Sequence, residues 1–340
     1  MSENTLLIIS GKAIAPGERC RINIPVAKLY DYTEVSIPVE VIRGRKPGPV
    51  LFISAAIHGD EINGTEVIKR LREKSRLLNS IVGTLILVPI VNVFGYNRNV
   101  RYLPDRRDLN RCFPGSEDGS LAAQFAYQFM EEIVNKCSHG IDLHTGAIHR
   151  TNLPQIRANL DDPATEVLAR AFGTPVLLNA DLKDGSLRQA VAERQIPILL
   201  FEGGEALRYE EKVIRSALAG IQNVMAHLGM IKTRSRSANA AARQSVYIAR
   251  SSYWLRAPHS GGFRATKAIG MRVDAREKVG VISDPFGDHA VPVTAPQAGI
   301  VIGMNLIPTV TNGDALLHIA CFKDVDTVEE ELSAYDEFLT

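Results

Sequence analysis

Short apolar runs alternate with amphipathic segments along the first two thirds of the chain. Apolar runs of four to eight residues are typical of buried strands, and apolar positions three and four residues apart are typical of helices. The runs predict strands at 35–42, 50–57, 84–91, 140–143 and 196–201, with a turn at 44–49. The spacing predicts helices at 62–78, 120–137, 163–172, 186–194 and 209–228. This alternation favours an α/β fold with a mainly parallel or mixed sheet and flanking helices.

The alternation of apolar runs and amphipathic segments ends near residue 232. Residues 232–244 are small, polar and basic, as in an exposed linker, and the helical spacing stops after them. An Ala-Pro pair at Ala257 recurs at Ala295, and each copy leads into short β-rich segments with glycine turns. Two copies of one β unit predict a small all-β domain that resembles a biotinyl/lipoyl hammerhead. Its central hairpin, 284–289, lacks the lysine of a carrier domain, so we expect an accessory role.

Three segments follow from these patterns. We predict a hydrolase domain at 1–235, a β-rich accessory domain at 246–322 and an acidic, solvated C-terminal segment at 323–340. The accessory domain is expected to supply no metal ligand and to form part of the wall of a substrate pocket, because pockets favour domain interfaces.

Composition narrows the classes of partner. Lys and Arg number 39 and Asp and Glu number 38, a net charge of +1 that argues against a nucleic-acid partner. No apolar run reaches the roughly 20 residues of a membrane span, and no secretory leader precedes the first strand. The four cysteines are widely spaced, which favours the reducing cytoplasm over a disulfide framework. Whether the chain forms a homo-oligomer stays open.

The first candidate for chemistry is the pair His58 and Glu61, three residues apart where a predicted strand meets a predicted helix. This spacing can aim an imidazole and a carboxylate at one metal ion. The pair is equally compatible with a glutamate that stabilises the first turn of the helix.

Two further candidates also follow predicted strands. His144 follows 140–143, with Asp142 placed to orient it, and Glu202 follows the apolar run 196–201. A partly desolvated carboxylate at a strand end suits a group that takes and returns a proton. A structural histidine and a solvated loop glutamate are the alternatives.

The fourth candidate is the loop 101–115, which is rich in arginine. Guanidinium groups bind carboxylates in a bidentate manner, so the loop could hold an anionic substrate. We expect at least one or two of its arginines to make only ion pairs within the loop.

These signals reinforce one another. In open α/β sheets, ligands bind beyond the carboxyl ends of the strands, where His58, His144 and Glu202 are all predicted to lie. Two histidines and one glutamate leave a fourth zinc position open for water, which is the catalytic pattern.

Four motifs occur in an order that resembles the succinylglutamate desuccinylase/aspartoacylase family of the zinc carboxypeptidase superfamily: HGDE from His58, DLNRCFPG from Asp108, DLHTG from Asp142 and FEGG from Phe201. The resemblance implies that His58, Glu61 and His144 hold one zinc ion per chain. It implies that Glu202 is the general base.

The same resemblance implies roles for four polar side chains. Arg101 would polarise the scissile carbonyl, and Asn110 and Arg111 would bind a substrate carboxylate. Arg188 resembles a further carboxylate-binding arginine. The intervals from Arg101 to Asn110 and from Arg188 to Glu202 are longer than in the family pattern, which leaves the choice between aspartate and glutamate substrates open.

The resulting expectation is a zinc-dependent amidohydrolase that removes the acyl group from a small, anionic N-acyl amino acid or related amide. A zinc carboxypeptidase acting on short peptides would use the same chemistry and is the main alternative. A non-catalytic protein that binds a metal or ligand through the same residues is the second.

Overall fold

The computed structural model describes residues 6–232 and 246–339. The helices of these residues are α1 Asn63–Glu73, α2 Ser75–Leu78, α3 Val93–Arg98, α4 Leu121–Glu132, α5 Pro163–Phe172, α6 Leu187–Ala192, α7 Glu211–His227 and α8 Val325–Leu339. The strands up to α7 are β1 Leu7–Ile9, β2 Lys12–Ile14, β3 Arg19–Lys28, β4 Glu34–Arg43, β5 Lys46–Ala55, β6 Val82–Val88, β7 His139–Gly146, β8 Arg150–Ala158, β9 Val176–Asn179 and β10 Ile198–Glu205. The later strands are β11 Tyr247–Ala249, β12 Ser251–Arg256, β13 Gly261–Ala265, β14 Arg272–Val273, β15 Lys278–Ser283, β16 Ala290–Thr294, β17 Gly299–Asn305, β18 Thr309–Val310 and β19 Ala315–Cys321.

A mixed sheet runs through the molecule in the order β12-β19-β17-β8-β10-β7-β5-β6-β4-β3. Its centre, β10-β7-β5-β6, is parallel, and the strands on either side, β8 and β4, join it in antiparallel fashion. The carboxyl ends of the central strands therefore meet at one edge. The prediction of a mixed α/β sheet with flanking helices is confirmed.

Helices cover both faces of this sheet. Leu51 and Ile53 of β5 pack into one core with α1, α5 and α7, whereas Phe52 packs into a second core with α4 and α6. Successive residues of a strand point to opposite faces, so a strand buried on both must be apolar throughout. This explains why continuous apolar runs mark the central strands.

Some elements differ from the sequence-based prediction. The predicted turn at 44–49 is wrong for residues 46–49, because β5 already begins at Lys46. Strands β8 and β9 were not predicted. β8 contains Pro154 and several polar residues because part of it faces the cavity described below, and these residues hide the apolar pattern.

Beyond residue 246 the chain is mainly β, and its strands belong to two sheets. β13, β15, β16 and β18 form a four-stranded antiparallel sheet. β12, β17 and β19 extend the central sheet, since β17 pairs with β8. The likeness to a hammerhead and the domain limits at 235 and 246 stay predictions. The predicted linker lies outside the described residues, except for Lys232.

The acidic segment near the C-terminus is a helix rather than a solvated chain. One side of α8 is buried through Val328, Leu332 and Tyr335, and the Tyr335 hydroxyl lies 2.6 Å from Ser216 Oγ on α7. The acidic residues hid this apolar stripe in the sequence. Among the described residues, no helix is both long and apolar enough to cross a membrane.

Candidate active site

The loop that follows β5 places the first two candidate ligands. Ala56 adopts a left-handed backbone conformation with a φ of 53°. The Glu61 N–H donates to the His58 carbonyl oxygen at 3.1 Å, which closes a turn from His58 to Glu61. Gly59 packs directly on the α3 backbone, where a Cβ atom would lie 2.0 Å from the carbonyl carbon of Gly95. The glycine of the HGDE motif is therefore required by packing, and it holds the residues on either side of it at the sheet edge.

His58, Glu61 and His144 converge at the carboxyl ends of β5 and β7. The Nδ1 atoms of the two imidazoles each lie 2.8 Å from a different oxygen of the Glu61 carboxylate. One ligand atom from each residue lies within 4.8 Å of the other two, and all three side chains are buried. Two imidazole nitrogens and a carboxylate oxygen form a donor set that suits a divalent metal ion.

The second ring nitrogen of each imidazole, Nε2, lies within hydrogen-bond distance of another carboxylate. His144 Nε2 lies 2.7 Å from Asp142 Oδ2, and His58 Nε2 lies 3.1 Å from Asp108 Oδ1. Histidines that bind metals commonly donate their second N–H to a carboxylate, which fixes the ring and leaves the other nitrogen free to bind. Both rings are thus held with Nδ1 turned toward Glu61.

Glu61 is held in its charged form. Burial would raise the pKa of its carboxyl group, but the positive charge of the His58 and His144 rings in their protonated form more than offsets this and lowers it below the usual range. The backbone N–H of Thr145 also donates to Glu61 Oε2 at 3.1 Å. A charged carboxylate in this position can bind a cation without first losing a proton.

Glu202 lies beside this centre on β10. It is paired in the sheet register with His144 on β7. Asn152 Nδ2 donates to Glu202 Oε2 at 2.8 Å, and Arg157 Nε lies 3.9 Å from Oε1. The carboxylate is therefore oriented from β8 and opens into the same cavity as the three candidate ligands.

Arg101 reaches the centre from the loop that follows α3. Its Nη1 donates to Glu61 Oε1 at 3.1 Å, and its Nη2 donates to Asp108 Oδ2 at 2.9 Å. Of the four arginines in this loop, Arg101 and Arg111 line the cavity. Arg106 and Arg107 are exposed. Arg107 Nε lies 3.9 Å from Asp105 Oδ2, as expected for an arginine that makes ion pairs only within the loop.

The other predicted substrate-binding residues form one wall. The Leu187 N–H donates to Asn110 Oδ1 at 2.9 Å and so joins the start of α6 to the loop that carries Arg111. Arg188 also lines the cavity, and its guanidinium donates to the carbonyl oxygens of Ala180 and Asp181. Burial, together with the charge of nearby Arg157, lowers the pKa of Arg188 to about 10.

The cavity has a volume of about 210 Å³ and an excess of positive charge. Its described lining includes two carboxylates, Glu61 and Glu202, and six basic residues: Arg101, Arg111, Arg150, Arg157, Lys183 and Arg188. Burial lowers the pKa of Lys183, and the charges of Arg111, Arg157 and Arg188 lower it further. A cavity with this balance attracts anions.

Sequence reasoning missed several residues that the structure brings here. Asp108 lies within the quoted DLNRCFPG motif, so its contact with His58 could have been sought there. Asn152 and Arg157 lie on the unpredicted strand β8, and their own sequence carries no signal for the site. Trp254 comes from the part of the chain beyond residue 246, which thereby forms part of the cavity wall, as expected for residues 246–322.

Comparison with known proteins decides the family. A model of the succinylglutamate desuccinylase/aspartoacylase catalytic domain matches residues 47–228, more than half of the chain. The chain belongs to this family. The matched range contains every candidate ligand and Glu202, and membership makes the chain a hydrolase that acts on C–N amide bonds.

Individual relatives agree with the family assignment. The N-α-acetyl-L-2,4-diaminobutyric acid deacetylase of Halomonas elongata is 27% identical over 300 residues, which cover 84% of this chain and 86% of the relative. A succinylglutamate desuccinylase/aspartoacylase crystal structure from Rhodobacter sphaeroides is 26% identical with a TM-score of 0.79, and the match covers 90% of this chain and 95% of that one. The product-bound ectoine utilization protein EutE (DoeB) of Ruegeria pomeroyi, at 23% identity, shares the fold with a TM-score of 0.78 over 89% of this chain and 94% of that one.

Proposed function

We propose that the protein is a zinc-dependent amidohydrolase that converts a small N-acyl amino acid into a carboxylate and a free amine. The observation that carries this proposal is that His58, Glu61 and His144 converge in the same cationic cavity as Glu202. The diaminobutyrate deacetylase among the relatives acts on a substrate of this chemical class.

The three convergent side chains would hold one zinc ion per chain. Two imidazoles and one carboxylate are a common protein ligand set for catalytic zinc, and they leave a position open for water or substrate. When bound, zinc lowers the pKa of a coordinated water and polarises a carbonyl oxygen. Asp108 and Asp142 would keep the two imidazoles in the orientation that binds the ion.

Glu202 would move the proton. Its Oε2 is held by Asn152, whereas Oε1 has a cation, Arg157, 3.9 Å away. The carboxylate accepts a proton from the attacking water and returns it to the leaving nitrogen, and the second proton of the water also passes to that nitrogen, so the products are a carboxylate and an ammonium group.

The basic residues would bind and orient the substrate. Arg101 lies against Glu61 and would donate to the oxygen that becomes negative as water adds to the carbonyl. Asn110 and Arg111, with Arg188 on the same wall, would hold the substrate carboxylate. The positive excess in the cavity supports an anionic amide as substrate.

We expect Arg111→Ala and Arg101→Ala to affect different kinetic constants. Loss of a group that holds the substrate carboxylate weakens binding of the ground state and of the transition state alike, so Arg111→Ala should mainly raise KM. Loss of a donor to the developing oxyanion is felt in the transition state, so Arg101→Ala should mainly lower kcat, by about 10²–10³-fold. Steady-state kinetics of both variants provide the test, with Arg107→Ala as the control in the same loop. If both variants changed only KM, Arg101 would not be a donor to the oxyanion.

The proposed reaction is tested by amine release from a panel of N-acetyl and N-succinyl amino acids, N-α-acetyl-L-2,4-diaminobutyrate among them, together with short peptides. The proposal requires turnover of at least one acyl amino acid by the metal-replete protein. Turnover of peptides alone, with release of the C-terminal residue, would favour the carboxypeptidase. No turnover of any member, in a protein that binds zinc, would favour a non-catalytic binding role.

We propose the cytoplasm as the site of this reaction. All four cysteines are free in the structure, which supports a reducing compartment.

A further inference from the structure

An irregularity in the central sheet lies beside Glu202. β10 pairs with β8 as Glu202 with Gln155 and then as Gly204 with Asn152. An advance of two residues along β10 thus matches an advance of three along β8, so β8 carries one extra residue, a β-bulge. In a regular strand, residues three apart point to opposite faces. The bulge therefore brings Asn152 to the face of the sheet that carries Glu202.

The sequence favours a bulge at this point. Pro154 lies between the two pairs and has no backbone N–H to give to a neighbouring strand, which suits a bulge. Bulges next to active sites commonly re-aim a side chain. Here the re-aimed side chain is Asn152, whose Nδ2 donates to Glu202 Oε2 at 2.8 Å.

This hydrogen bond is the main restraint on the Glu202 carboxylate. Arg157 Nε lies 3.9 Å from Oε1, beyond hydrogen-bond distance. Among residues 6–232 and 246–339, Asn152 is the one that makes a direct hydrogen bond to this carboxylate. A group that moves a proton must be held within hydrogen-bond reach of the reacting atoms, so the place of Asn152 bears on the chemical step.

The part of the chain beyond residue 246 closes on Asn152 from the other side. β17 pairs with β8, and its Gly303 lies directly opposite Asn152. A Cβ atom on Gly303 would lie 3.0 Å from Asn152 Oδ1 and 3.0 Å from His318 Cβ. Both distances are shorter than ordinary van der Waals separations of about 3.5–4.0 Å. A side chain at position 303 would therefore force its neighbours to move.

Asn152 has a glycine on each side of it in the sheet, for different reasons. Gly204 has a φ of 73°, a left-handed conformation that favours glycine. Gly303 does not have a positive φ, so backbone conformation does not require glycine there. The missing side chain at Gly303 instead leaves space for the Asn152 amide, which is only 9% exposed.

We propose that Gly303 is a positioning residue, which leaves the space in which Asn152 holds the Glu202 carboxylate. The strands beyond residue 246 then help to aim the general base as well as to line the cavity. This inference rests on the proposed function, in which Glu202 moves the proton. It assigns to these strands a part in the chemical step.

Gly303→Ala and Asn152→Ala test this inference. Each should lower kcat by about 10–100-fold, the size of a hydrogen bond to a charged group. KM and metal content should stay close to wild type, because neither variant removes a candidate metal ligand or a predicted substrate-binding residue. Steady-state kinetics on the best substrate of the amine-release panel, with metal analysis of the same preparations, measure these quantities.

Gly262→Ala is the matched control. Gly262 lies on β13, also beyond residue 246, and does not have a positive φ. A Cβ atom there would lie 3.8 Å from the Ser283 carbonyl oxygen, an ordinary contact. This variant should keep wild-type kcat.

Double variants separate positioning from a general structural defect. Changes that act through one group do not add, whereas independent defects do. Gly303→Ala should therefore lower kcat by no more than about 2-fold further when it is added to Asn152→Ala or to Glu202→Gln, the precision of such comparisons.

Three results would overturn the inference. They are a wild-type kcat in Gly303→Ala or in Asn152→Ala, a change in KM alone, and a loss from Gly303→Ala that persists in full in the Glu202→Gln background. Wild-type kcat in metal-replete Glu202→Gln itself, or no amine release by metal-replete wild type, would instead overturn the proposed function.

Discussion

Glu202→Gln is expected to keep its full metal content and to lose about 10²–10⁴-fold in kcat, the usual contribution of general acid–base catalysis. The amide has the size and shape of the carboxylate but cannot accept the proton of the attacking water. Glu202 does not belong to the convergent set of His58, Glu61 and His144, so metal binding should not depend on it. Metal analysis and steady-state kinetics on the same preparation measure both quantities.

Glu205→Gln is the control for this variant. Glu205 lies at the end of the same strand, outside the cavity lining, and accepts a hydrogen bond from the His149 N–H. It should keep near-wild-type kcat. A metal-replete Glu202→Gln protein with wild-type kcat would show that another group carries the proton.

His144→Ala is expected to lose most of its bound metal and, with it, its activity. The variant removes one of three protein ligands and also leaves Asp142, a buried carboxylate, without its imidazole partner. Asp142→Asn should have a smaller effect, because loss of a group that orients a ligand costs about 10–100-fold in metal affinity. Metal analysis after dialysis against a weak chelator measures how much metal each protein retains. We expect wild type to retain the most, Asp142→Asn less and His144→Ala the least.

His149→Ala is the control for the histidine variant, since His149 is exposed in the turn between β7 and β8. It should bind metal as wild type does. Full metal occupancy in folded His144→Ala, judged by circular dichroism, would contradict the ligand assignment.

The central strands and the positions at their ends could be predicted from the sequence for a common reason. Strands buried on both faces must be apolar throughout, so a polar residue directly after such a run stands out. His58 and Glu202 stand out in this way. The structure brings both, together with Glu61 and His144, to one cavity.

Residues supplied by partly polar strands could not be found in the same way. Asn152 and Arg157 lie on β8, where part of the strand faces the cavity, so the strand carries no continuous apolar run. Trp254 reaches the cavity only because β17 pairs with β8 and extends the central sheet. Pairing between strands far apart in the sequence is not visible in local periodicity.

The C-terminal helix illustrates a different difficulty. Its acidic residues suggested a solvated segment, but Val328, Leu332 and Tyr335 recur at helical spacing and are buried. A narrow apolar stripe is sufficient for a helix that covers the edge of a larger core. Charge content alone therefore gave the wrong interpretation.

The measurement that tests the central claim most directly is a zinc titration of metal-stripped protein with amine release as the readout. The account predicts no activity without metal, a linear rise on addition of zinc and a plateau at about one equivalent per chain, as expected for a single three-ligand site. Full amine release by protein with no detectable metal would contradict it.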